Sequence, residues 1–262
     1  SETGLREINV GSFVSPKYTP QMAKVDELLQ GFTPKPGVRY TYTALNDKGI
    51  ERAKAYTPPL SPRAHELSTR VDMCDVFAQR NTNRTQAQQM AAWPKQIEKA
   101  LAQGATEAGM SISNVWGSNW IGEVPFEQHM LMFDRMYQLW DQAGIKVTKI
   151  GMADATGWCM PHQVERTLIG IKERWPSIKD FNLHLHNTRG LGIANALAGL
   201  DAGVRDFESS VGGVGGCPYA PKAVGNICTE DFVHMLHEMG YRTGIDLDAL
   251  ISAAKLAEEV MR

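Results

Sequence analysis

Apolar positions along this chain follow two alternating spacings, one of two residues and one of three to four. Residues 38–43, with Val38, Tyr40 and Tyr42 in alternation, read as a strand. So do 6–10, 70–77, 110–115, 146–152, 181–186 and 204–209. Helical spacing fills most of the intervals between them. The helices expected are 49–56, 85–109 (kinked or restarted at Pro94), 126–144, 161–174 with Pro161 in its first turn, and 192–202. Two more, 230–239 and 246–261, close the chain. In 126–144, Met130, Phe133, Met136, Tyr137 and Trp140 share one face, a stripe that belongs to core packing and not to a cofactor box.

Strands alternating with helices in units of about thirty residues imply parallel strands joined by right-handed crossovers. No sequence repeat accompanies the alternation. An open doubly wound sheet would fit, but no GxGxxG opens any of the helices. Seven units are countable, and residues 1–5 read as the tail of a helix. The expected fold is therefore an α/β TIM (β/α)8 barrel without its first strand, one domain over 1–262, with C-terminal helices from about residue 229.

Composition narrows the picture. A hydrophobic content of 43% and a charged content of 21% suit a globular chain, and a formal charge of −2 with no Lys/Arg cluster argues against a nucleic-acid partner. No window approaches 18 uninterrupted apolar residues, so no membrane span is expected. Cys74, Cys159, Cys217 and Cys228 show no CxxC spacing. That usage fits a reducing compartment, the cytoplasm first, with the mitochondrial matrix also compatible.

The chemistry gathers around Asn182-Leu183-His184-Leu185-His186-Asn187-Thr188-Arg189-Gly190. On a strand, residues i and i+2 face one side, so His184 and His186 present both imidazoles to one spot. They read either as metal ligands or as two satisfied histidines of the core or surface. In a barrel the site lies at the strand ends, and Asn9, Asn46, Asp154, His184 and His186 all fall there. The Gly-rich stretch Ser210-Val211-Gly212-Gly213-Val214-Gly215-Gly216-Cys217-Pro218-Tyr219-Ala220, followed by Gly225-Asn226, can fold tightly over a ligand, close as a lid, or be a flexible surface turn.

Together these residues resemble the 3-hydroxy-3-methylglutaryl-CoA lyase family of the DRE-TIM metallolyase superfamily, from about Gly4 to the C-terminal helix. The likeness is densest in Ser12-Phe13-Val14-Ser15-Pro16-Lys17 with Pro20-Gln21-Met22, in the HLHNT stretch, and in GGVGGCPYA with the following Gly-Asn and Thr-Glu-Asp. The resemblance implies that His184, His186 and Asn226 are ligands of a divalent metal, Mg²⁺ or Mn²⁺ by its mixed N/O character. It also implies that His184, or an aspartate of the family's first strand, takes the proton of the 3-hydroxyl, that Cys217 acts in proton transfer, and that Glu230 and Asp154 lie near the reaction. Two departures stand out. The family's first strand carries an arginine and a metal-binding aspartate, and nothing here corresponds to either. Asn9 aligns with a family glutamate, keeping hydrogen bonding without the charge. The stretch 114–123, with Trp116 and Trp120, also differs from the family's usual segment, which suggests a reshaped acyl pocket or a sealed barrel mouth.

The implied reaction is retro-Claisen cleavage of a 3-hydroxyacyl-CoA to acetyl-CoA and a keto product, with an acyl-CoA as partner; a homo-oligomer, such as a dimer, is a possible assembly that the sequence does not fix. Two rivals remain: a condensing synthase or aldolase of the same superfamily, and a catalytically silent binding barrel.

Overall fold

The structure, a computed structural model, describes residues 2–17, 19–44, 47–61, 67–215 and 224–261. These divide into two compact units, one of residues 1–66 with 241–252 and one of residues 67–240 with 253–262.

In the first unit, β1 (Glu7–Ser12) pairs in parallel with β2 (Arg39–Thr43) after the short helix α1 (Val25–Gln30), which the apolar spacing did not announce. α2 (Asp47–Lys54) follows. Phe13, Val25, Leu29, Tyr40, Tyr42, Ala53 and Leu60 form its core, and Arg52 is paired with Asp26. Residues 2–6 are a turn and a bend, where the tail of a helix was expected. Gly4, at φ 79°, reverses the chain there, and the carbonyl of Thr3 accepts the amide of Asp246.

The second unit opens with β3 (Ser68–Asp72), which ends five residues earlier than the apolar run 70–77 suggests. Asp72 Oδ1 accepts the Cys74 amide at 2.8 Å, and Cys74 Sγ accepts the Phe77 amide, capping α3 (Asp75–Thr82). The single helix expected over 85–109 is two, α4 (Gln86–Ala91) and α5 (Trp93–Ala102), restarted at Pro94, and its tail is already β4 (Glu107–Ser113). A two-residue hairpin, β5 (Gly117–Ser118) with β6 (Gly122–Glu123), leads to α6 (Phe126–Gln142). Then come β7 (Lys146–Asp154), α7 (Pro161–Arg174), β8 (Asp180–Leu185), α8 (Gly192–Asp201), β9 (Asp206–Glu208), α9 (Thr229–Glu238) and α10 (Leu247–Met261). None of the helices described is long and apolar enough to cross a membrane.

The five long-range strands make one parallel sheet in the order β3-β4-β7-β8-β9. One face carries Val71, Met110, Ile112, Ile150, Met152, Phe181 and Leu183, which join a core with Phe133, Met136 and Trp140 of α6 and Val164, Leu168 and Ile171 of α7. The other face is small or polar. At its C-terminal edge, Asp72, Ser113, Ala153, His184 and Glu208 stand in one lateral row across all five strands. In a parallel sheet, residues level with one another point to the same side, so this row places His184 and Glu208 together.

Candidate active site

His184, on β8, and His186, one residue beyond it, converge as their spacing predicts, with Nε2 atoms 3.1 Å apart. His184 is half-buried and His186 is buried. Their other nitrogens face acceptors: His184 Nδ1 lies 2.9 Å from Glu208 Oε2, and His186 Nδ1 lies 3.4 Å from the carbonyl oxygen of Val224. Carboxylate and carbonyl oxygens accept only, so each neutral ring is best satisfied with its hydrogen on Nδ1. That arrangement points two bare Nε2 lone pairs at each other, a repulsion that a cation between them relieves. Burial, with His184 adding to it, pushes His186 down to about 4, which keeps its ring neutral at pH 7 and fit to be a ligand.

Asn226 is held beside them by main chain. Ile227 N–H donates to Leu185 O at 3.0 Å and Asn187 N–H donates to Gly225 O at 3.0 Å, so Asn226 faces His186 in an antiparallel bridge. Its amide nitrogen donates to the carbonyls of Val214 and Gly215, each at 3.1 Å. Its Oδ1 is buried and has no hydrogen-bond partner among the described residues. A buried acceptor without a donor is costly unless something else meets it. The donor set therefore fits a divalent metal: two converging imidazoles and an unmet amide oxygen. The 3.1 Å separation of the nitrogens matches neighbouring ligands of an octahedral ion with bonds of about 2.1 Å. Among the described residues, no cluster of three or more His, Cys, Asp or Glu side chains stands ready for a metal, so the amide oxygen is essential to this reading.

Glu230 is in the first turn of α9, and both of its oxygens accept the Gly212 amide (2.9 and 3.0 Å), while Cys228 Sγ donates to Oε2 at 2.9 Å. It holds the entry of the glycine stretch. Burial and this contact push the Cys228 thiol up to about 11. Asp154 lies at the end of β7 level with Leu185, out of phase with the His184 row. Its two oxygens accept the amides of Trp158 and Cys159, each at 2.8 Å, closing the turn into α7. Burial, against those amides, pushes its carboxyl up to about 6. Asn9 belongs to the first unit, where it donates to Thr43 Oγ1 at 3.0 Å and accepts the Gly11 amide. Cys217 and Asn46 lie outside the described residues.

Two further observations were not readable beforehand. Trp116 is fully buried, with its indole N–H on Thr167, so it packs; Trp120 lies against Phe77 and under the Arg80 guanidinium. Arg189 ties the loops together, donating to the carbonyls of Thr156 and Gly157 and to Asn119, with its guanidinium over the Trp158 ring. Glu208 is the site residue that sequence reasoning missed. Its only signal was an acidic residue in the strand before the glycine stretch.

A parallel α/β fold with polar side chains gathered at the strand ends is the arrangement in which α/β enzymes, TIM barrels among them, place their sites. Comparison with known proteins narrows this to one family. A family model described as HMGL-like matches residues 1–257. A hydroxymethylglutaryl-CoA lyase of Bacillus subtilis is 31% identical over 261 residues, covering 100% of this chain and 83% of that protein. An (R)-citramalyl-CoA lyase of Chloroflexus aurantiacus is 34% identical, covering 96% of this chain and 78% of that one. The solved structure of an HMG-CoA lyase from Acinetobacter baumannii, in complex with coenzyme A and 3-methylmalate, superposes with a TM-score of 0.77 at 36% identity, covering 96% of this chain and 78% of that chain. The chain belongs to the HMGL-like family and is by class a carbon–carbon lyase.

Proposed function

We propose that this chain is a divalent-metal-dependent lyase that cleaves a 3-hydroxyacyl-CoA, 3-hydroxy-3-methylglutaryl-CoA or a close relative, to acetyl-CoA and a keto product. The observation that carries the reading is the convergence of His184 and His186, with Asn226 bridged to His186 and its buried oxygen without a partner among the described residues. These three residues would hold Mg²⁺ or Mn²⁺. When bound, the ion supplies Lewis acidity toward the substrate's hydroxyl and carbonyl oxygens. We take residues 1–262 as one catalytic domain, in keeping with the family match over 1–257.

In the reaction, the 3-hydroxyl gives up its proton, the C2–C3 bond breaks, and C3 becomes the carbonyl of the keto product. The electron pair of that bond passes to the thioester as the enolate of acetyl-CoA, and a proton then reaches C2. The proton of the 3-hydroxyl is assigned, on the resemblance, to His184 or to an aspartate of the family's first strand; His184 Nδ1 is held by Glu208, which leaves its Nε2 lone pair facing the site. Glu230 positions the glycine stretch through the Gly212 amide. Cys217 is assigned the proton delivered to C2, on the resemblance alone. Asp154 fixes the turn after β7, and Asn9 is assigned substrate orientation through its amide.

The relative that holds coenzyme A and 3-methylmalate supports a CoA thioester of a branched hydroxy acid as the substrate class. We further place the chain in a reducing compartment, cytoplasm or mitochondrial matrix, without nucleic-acid or membrane partners. The test is to incubate the purified chain and Mg²⁺ or Mn²⁺ with a panel of 3-hydroxyacyl-CoAs and identify the products by mass. Acetyl-CoA appearing with a matching keto acid supports the reading. Free CoA released from acetyl-CoA and a keto acid would make it a condensing enzyme instead, and no turnover in either direction would make it a binding barrel.

A further inference from the structure

The imidazole of His184 is braced from behind. β9 lies beside β8 in parallel register, with Asn182 level with Asp206 and His184 level with Glu208. Both side chains of the second pair therefore leave the sheet on the same face, and their tips meet at 2.9 Å between Nδ1 and Oε2. Each is about a third exposed, at 32% and 31%, so the contact is partly shielded from water. The three-residue strand that carries Glu208 is itself fixed. At its start, Asp206 pairs with Lys149 of β7 at 2.8 Å, and just past its end the Ser210 amide donates to Ile227 O.

We propose that Glu208 is a positioning residue that fixes His184 as its Nδ1–H tautomer and aims the Nε2 lone pair at the divalent ion. The proposal rests on the metal-site reading above. A carboxylate accepts and cannot donate, so a neutral ring facing it must carry its hydrogen on Nδ1. Nε2 is then left as the ligand atom, and the charged partner makes it a better one. Among the described residues His186 has only the Val224 carbonyl for this purpose, at 3.4 Å, so the ring at 184 is there the more firmly set of the two. Glu208 need touch neither ion nor substrate. It acts through His184.

The test uses the full chain, free of metal at pH 8, and compares wild type with Glu208→Ala and Glu208→Gln. Histidine-ring nitrogen NMR reports the tautomer, with His184 identified among the seven histidines by its loss in His184→Gln. Mn²⁺ titration reports affinity. Wild type should hold His184 as Nδ1–H, and Glu208→Ala should shift it toward Nε2–H and bind Mn²⁺ about ten- to a hundredfold more weakly. Glu208→Gln, which can still accept but carries no charge, should fall between. If Glu208→Ala does not fold, the Gln variant decides, because equal Mn²⁺ affinity there overturns the proposal. Normal Mn²⁺ uptake in Glu208→Ala with an unchanged His184 tautomer defeats the proposal alone. A wild type that takes up no Mn²⁺ defeats the metal-site reading, and the proposal with it.

Discussion

Asn226 directs both hydrogens of its amide to the carbonyls of Val214 and Gly215 and leaves its oxygen buried with no partner among the described residues, in a bridge with His186, whose imidazole faces that of His184. The histidines were legible from the sequence because a two-residue spacing on a strand needs no tertiary information. Glu208 was not, because its contact with His184 spans 24 residues and is set by the lateral register of two strands. Asp154 was legible as a strand-end acid, but its part in the turn depends on where the Trp158 and Cys159 amides fall. Replacing it by Ala leaves those two amides without their acceptor. Asp154→Ala should therefore lose about 1–3 kcal/mol in denaturant unfolding; an unchanged midpoint would show that the carboxylate is dispensable there. His129 of α6 offers a pH test. It is buried beside Thr167, and burial, with Arg166 adding to it, pushes it down to about 4 from an ordinary 6.5. Between those values the unfolded chain binds more protons than the folded one. Its contribution is thus complete above pH 6.5 and lost as pH falls through 4, on the order of 3 kcal/mol. Stability curves of wild type and His129→Gln should diverge over that window; parallel curves would contradict the assignment.

Among the elements, those with strong periodicity were read almost to the residue. α7 begins and ends where its apolar spacing and first-turn proline place it, and α6 carries Phe133, Met136 and Trp140 on its buried face. Met136→Ala should cost about 2–5 kcal/mol, since its side chain is wholly enclosed. A thermal midpoint close to wild type would show that the site collapses around the gap. Elements whose ends depend on a side-chain cap were misread. Val76 and Phe77 look like a continuing strand, yet the acceptors on Asp72 and Cys74 turn the chain into α3. The glycine stretch was recognised by composition, but not the reason for Gly225. A Cβ there would lie 1.8 Å from the carbonyl oxygen of Gly213, backbone that cannot swing aside. Gly225→Ala should separate the two arms of the stretch, displace Asn226 and weaken Mn²⁺ binding by about tenfold or more. Wild-type affinity in that variant would mean that the close approach does not position the amide.

For the whole molecule, the alternation of strands and helices was enough to give a parallel α/β class, and seven parallel strands stand among the described residues, as counted from the sequence. The division into two compact units was not legible, because residues 241–252 return to the N-terminal segment through the Asp246 amide and the Thr3 carbonyl, a contact no local pattern encodes. Family membership fixes the class of chemistry, carbon–carbon bond cleavage, while dependence on a metal rests on three side chains. The most direct check is to strip the purified chain with a chelator, equilibrate it with Mn²⁺ or Mg²⁺, and count the ions bound by wild type and by His186→Asn. We expect one ion per wild-type chain and binding weakened beyond detection in the variant. An empty wild type, or equal binding by the two, would contradict the metal site built from His184, His186 and Asn226.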